Sequence, residues 1–220
     1  ILHDDTQAIP QYLTSRVTII IKRKCLPVVM EEVKKSNVPF ALAGLCGAFL
    51  FAVMWFVAAQ ADGSWIFSET LVCSLGESAS CTASSVFQYG SILSGLLLAY
   101  LGMGKVLHSD WLNRAGGILI VFAGFSLIIV GGFVLDSNAD IHEIGYYLFM
   151  TFMAVGVLLS LIGDFVNGRN LCGAANAVIF IVMIASLFSM KLEFIESWIT
   201  LMTIVWMFIE STKLALTNPE

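Results

Sequence analysis

SNVPFALAGLCGAFLFAVMWFVAAQA, residues 36–61, contains no Asp, Glu, Lys or Arg. About 20 apolar residues in a helix cross the roughly 30 Å hydrocarbon core of a bilayer, and this run is longer than that. How it is read decides the fold, because the pattern recurs along the chain. Of 220 residues, 58% are hydrophobic and 12% charged, with a mean hydropathy of +0.89. A soluble domain carries about 25% charged residues, so the chain reads as a membrane protein. The formal charge of −5, with no basic face, argues against a nucleic-acid partner. Lys34 and Lys35 precede the run and Ala59-Gln60-Ala61 closes it, which imitates a signal peptide with its cleavage site. A signal core is usually about 7–15 residues, so the run reads as a retained span.

Four more charge-free runs follow at 81–104, 115–135, 144–163 and 170–190. The sixth is weaker: its charge-free centre covers only 197–209, between Glu196 and Glu210. Those two acids are roughly 21 Å apart along a helix, so each is expected near one boundary of the core. Glu210 is also placed to pair with Lys213 three residues on. The spans predicted are 39–61, 83–104, 115–135, 143–163, 170–190 and 195–214. Residues 39–214 thus form one transmembrane domain behind a cytoplasmic segment, 1–38. Met30 begins a natural-looking start, MEEVKKSNVPF, and residues 1–29 read as a poorly ordered or non-native extension rather than a lipid-attracted basic segment.

Loop charge sets the orientation. On the N-terminal side of the spans lie Arg16, Lys22, Arg23, Lys24, Lys34, Lys35, Lys105, Arg114, Arg169 and Lys213. The opposite side has Lys191 against Asp62, Glu69, Glu77, Asp136, Asp140, Glu143, Glu193 and Glu196. Basic excess marks the cytoplasmic side. The expected fold is all-α: a six-transmembrane-helix antiparallel bundle in the cell membrane, N-in and C-in. Loop 62–80 is then extracytoplasmic, and it is the one connection long enough for structure of its own.

The order of features resembles a family of prokaryotic hypothetical membrane proteins, domain of unknown function 998. The matching stretches are VCSLG (Val72–Gly76), YGSILSGLLLAYLG (Tyr89–Gly102), LIIVGGFVLD (Leu127–Asp136) and IHEIGYYLF (Ile141–Phe149). The resemblance covers about residues 40–190 and implies a six-helix integral membrane protein with no assigned activity. Where the family typically has Asp before Leu-Gly, this chain has Ser74. An acid catalyst at that position would be missing here.

Several residues are candidates for chemistry. Asp136, Asp140 and His142, with Glu69 across the same face, are types that bind cations or transfer protons. The competing reading is a solvated turn with His142 anchoring the fourth helix. A catalytic zinc usually has three protein ligands, several of them His, and this face has one His, so no metal or other cofactor is expected. Cys73 and Cys81 are candidates for a disulfide across the loop, against a reading as two free thiols. Gln88 and Asn176 are intramembrane polar side chains, candidates for ligand contact and equally suited to bonding between helices. No Asp, Glu, Lys or Arg falls within the first five runs, which counts against a pump or channel. The small residues Gly90, Ser91, Ser94 and Gly95, with Gly116, Gly117, Gly124, Gly131 and Gly132, suit close helix contact, within the chain, with a partner or with a second copy.

With no complete catalytic set visible, the leading expectation is a non-enzymatic bundle, either an accessory subunit or a binder of lipid or a small hydrophobic ligand, with membrane lipids as partners. The alternative is an outward-facing lipid-modifying enzyme using His142 with Asp136 or Asp140. A small-solute transporter is third.

Overall fold

A computed structural model describes residues 37–216, without the side chains of 135–137. The extension at 1–29 and most of the segment 1–38 lie outside the described residues. The described residues form six helices and no strand. They are α1 Val38–Asp62, α2 Cys81–His108, α3 Trp111–Gly132, α4 Leu135–Val166, α5 Asn170–Leu187 and α6 Leu192–Leu216. Each is long and apolar enough to cross a membrane, α4 over Asn138–Val166.

Local sequence sets the helix ends. Pro39 falls in the first turn of α1, where its missing N–H costs nothing, and Gly63 ends that helix at φ 74°. Ser80 caps α2 by accepting from the Ala83 amide, and Asp110 caps α3 by accepting from Asn113. Asn138 interrupts α4 near its start, at φ −158° and ψ 72°.

Each helix packs on its neighbours in the chain, and α6 returns to α1, so the six close into a ring. The α2–α3 interface is the most extensive. A Cβ on Gly95 would lie 2.7 Å from the Gly124 carbonyl oxygen, and one on Gly117 would lie 2.9 Å from that of Gly102. Bare backbone is what allows these two helices to approach so closely. Gly90 and Gly116 meet Met54 and the Gly156 carbonyl in the same way, so these small residues are engaged within the chain.

The outer surface is apolar, with Phe49, Phe56, Phe122, Phe125, Val178 and Ile181 all exposed. The interior holds Ser91, Ser94, Thr200, Thr203 and Asn176 beside Leu98, Leu101, Ile120 and Met153. Polar groups turned inward and hydrocarbon turned outward suit a lipid solvent.

The helices run past the charge-free runs. Lys105 lies inside α2 at 1% exposed and Asp164 inside α4 at 0%. Glu196 and Glu210, within α6, are buried as well, at 3% and 0% exposed. The expectation that the early spans hold no buried charge is therefore corrected.

Candidate functional site

The loop between α1 and α2 folds back over the bundle. Its VCSLG stretch forms a 3-10 turn over Cys73–Glu77. Consecutive residues of α6 pin this loop: Glu196 Oε2 accepts from the Cys73 amide at 3.1 Å, and Ser197 Oγ accepts from the Ser68 amide at 3.2 Å. On the α2 side, the Gly76 carbonyl accepts from Ser84 at 2.6 Å and from Gln88 at 3.3 Å. Gln88 therefore ties the turn to α2. Ser74 donates to the Leu71 carbonyl at 2.7 Å and so closes a local turn.

One side of this lid covers a small cavity of about 80 Å³, lined by Cys73, His142, Glu143, Tyr146 and Glu196 among others. His142 is 2% exposed, and its Nδ1 lies 2.6 Å from the Phe133 carbonyl. A carbonyl oxygen can only accept, so Nδ1 carries the proton and donates. The other ring nitrogen, Nε2, is buried without a hydrogen-bond partner. Tyr146, one turn along α4, is 7% exposed, and its hydroxyl is also buried and unpartnered. Glu196 makes no ion pair among the described residues. Burial pushes the Cys73 thiol well up from its ordinary pKa, and the nearby Glu196 carboxyl adds to the shift.

Asp140 and Glu69 are exposed, and the Asp136 side chain lies outside the described residues. His142 faces inward and shares its cavity with Glu196, an acid that sequence reasoning had assigned to a membrane boundary. Cys73 is buried, Cys81 is exposed, and both are free thiols. No group of three potential metal ligands occurs among the described residues.

The other side of the lid covers a larger apolar cavity of about 420 Å³ between α1 and α6, lined by Ala52, Trp55, Phe56, Ala59, Trp65 and Phe67 among others. Its aromatic wall is ordered by edge contacts. The Trp55 and Trp65 rings are 5.6 Å apart at 75°, and Phe67 meets Trp198 at 5.7 Å. Trp65 donates its indole N–H to the Leu71 carbonyl at 3.0 Å, which fixes the loop. The Trp55 N–H is buried with no acceptor.

At the opposite end, five helices converge on a buried ionic cluster. Lys105 donates to Glu210, to Ser160 Oγ at 2.9 Å and to Asn113 Oδ1 at 3.2 Å, and it sits 5.2 Å over the Trp206 ring. Lys213 reaches Glu210 at 2.6 Å and Asp164 at 2.9 Å. Arg169 bridges Asp164 at 2.9 Å and Asp110 at 2.7 Å. Asn176 donates to both Asp164 and Glu210, at 2.9 and 3.1 Å. Lys105, Arg169 and Lys213 thus balance Asp110, Asp164 and Glu210. Burial alone would raise the Asp110 carboxyl, but hydrogen bonds from Arg169 and Asn113 outweigh it and hold its pKa below the ordinary value. Burial alone would lower Arg169, yet Asp110 and Asp164 hold it above its ordinary value. The charges are spent on one another, so the cluster ties helices together.

The six membrane-spanning helices define a multi-pass membrane protein. Residues 45–212 match the model of the family described as Protein of unknown function (DUF998), and the chain belongs to that family. No curated protein and no solved structure matches the chain.

Proposed function

We propose that the protein is a non-enzymatic bundle of the cell membrane that holds a lipid acyl chain in the groove between α1 and α6. The supporting observation is the apolar cavity of about 420 Å³ walled by Trp55, Trp65 and Phe67. That volume lies within the range of about 300–1,000 Å³ typical of small-molecule sites. A bilayer is itself hydrocarbon, so moving a tail into the groove brings no hydrophobic gain. The gain is dispersion against rings that would otherwise face an unfilled void. The basic excess on the terminal side of the spans supports an antiparallel bundle with both ends cytoplasmic and loop 62–80 outside.

The test uses phospholipids with brominated acyl chains, which quench nearby tryptophan. Full-length protein in brominated bilayers is expected to lose more emission than an Ala52→Leu/Ala59→Leu variant whose groove is filled. Removing Trp55 and Trp65 together, as Phe, should abolish that difference. Equal quenching in wild type and the filled variant would refute the reading.

A further inference from the structure

We infer that the small cavity beneath the VCSLG turn, with its buried His142, Tyr146 and Glu196, is a binding site for a primary ammonium group. It is a different cavity from the acyl groove, and the inference does not rest on that groove.

Three buried acceptors face it, and the exposed Glu143 also belongs to its lining. The Phe133 carbonyl takes the Nδ1 proton of His142, so in the neutral imidazole the buried Nε2 is an acceptor. The Tyr146 hydroxyl is buried and unpartnered. The Glu196 carboxyl is 3% exposed; it accepts from the Cys73 amide, also meets the Cys73 thiol and the Val72 amide, and makes no ion pair among the described residues. A buried carboxylate without a counter-charge is costly, and a cation seated beside it removes that cost. A primary ammonium brings both the charge and three N–H donors for three acceptors. The cavity of about 80 Å³ has room for the ammonium and a short carbon stem. The loops on this side, with Lys191 as their one Lys or Arg among eight acids, draw cations toward it. A quaternary ammonium has no N–H to donate and would leave all three acceptors unmet.

The amine could be a free small molecule or the headgroup of phosphatidylethanolamine, so the experiment has two arms. In one, full-length protein in phosphatidylcholine nanodiscs is titrated with ethanolamine and with choline by calorimetry. In the other, phosphatidylethanolamine is added to the nanodiscs and its retention is read by native mass spectrometry. We expect the primary amine to bind saturably in at least one arm, at least tenfold more tightly than its trimethylated counterpart. Binding in the first arm assigns a free amine, and binding only in the second assigns the headgroup. Glu196→Gln should weaken it at least tenfold and Tyr146→Phe several-fold, while Asp62→Asn leaves it unchanged. Tyr146→Phe removes one hydroxyl from the wall and keeps the ring, so it reports on the site even if Glu196→Gln fails to fold. Equal binding of choline and ethanolamine, full binding by a folded Glu196→Gln, wild-type binding by Tyr146→Phe, or no saturable binding in either arm would overturn the inference.

Discussion

Replacing Glu210 with Gln puts the buried cluster to a quantitative test. Glu210 is 0% exposed and pairs with Lys105, itself 1% exposed, and with Lys213. The substitution keeps the volume and removes one of three negative charges facing three positive ones. Breaking a buried pair from one side costs about 3–5 kcal/mol, because the abandoned charge stays buried. Lys105→Met, which keeps a long apolar stem, should cost a similar amount through Glu210. Combined, the two changes restore two cations against two anions. If the loss comes from abandoned charge, the double variant should recover about 1–3 kcal/mol relative to the sum of the singles. The assay is reversible unfolding of the purified protein in mixed micelles. Emission from Trp206, 0% exposed and beneath Lys105, reports locally. If Glu210→Gln cost no more than Glu193→Gln, or the singles simply added, the cluster would not hold the helices as described.

Other outcomes follow from the same geometry. Cys81 is expected to react with a membrane-impermeant maleimide added outside intact cells, in a background without other exposed thiols. Cys73, buried and with its pKa raised, should react only after unfolding; labelling of Cys81 from the cytoplasmic side alone would reverse the proposed orientation. Gly124→Val should destabilise by roughly 1–3 kcal/mol in the same unfolding assay, because a Cβ there meets the Gly95 carbonyl at 2.5 Å. Gly132→Ala has open space and should be neutral or slightly stabilising, so equal losses at both would contradict the close α2–α3 contact. The lowered carboxyl of Asp110 contributes stability above its ordinary pKa, near 3.8, and loses it as pH falls through the lower folded value. Asp110→Asn should therefore flatten the stability–pH curve below about pH 4, and an unchanged acid limb would count against the Asp110–Arg169 pair.

The six spans were legible because an apolar run of about 20 residues has few other uses. The sites were less so. Scanning for charge-free runs treats every Lys or Glu as a boundary, so the burial of Lys105, Asp164, Glu196 and Glu210 was not visible that way, although the expected Glu210–Lys213 pair forms at 2.6 Å. A finer signal was present on α6. Glu196, Thr200, Thr203 and Glu210 fall at steps of four, three and seven, which is one helix face, and all four are buried. The Lys105–Glu210 pair left no such trace, since its partners are 105 residues apart and on different helices. His142 was singled out, but its cavity mates were not: Tyr146 is one aromatic among many in an apolar span, and Glu196 lies 54 positions further on. The aromatic groove was equally hidden, because Trp55 and Trp65 meet only when the loop folds back.

The ring also imposes an order on synthesis. Lys105 leaves the ribosome 105 residues before Glu210, the acid it pairs with. At about 5–20 residues per second, that is a wait of roughly 5–20 s. Until α6 arrives, Lys105 has no Glu210, α1 has no final neighbour on one flank, and the 3-10 turn has no Glu196 to hold it. A single late helix therefore completes the ion cluster at one end, the lid at the other and the groove between. A chain truncated before α6 should present all three defects together, which gives membrane quality control one unpaired lysine to recognise.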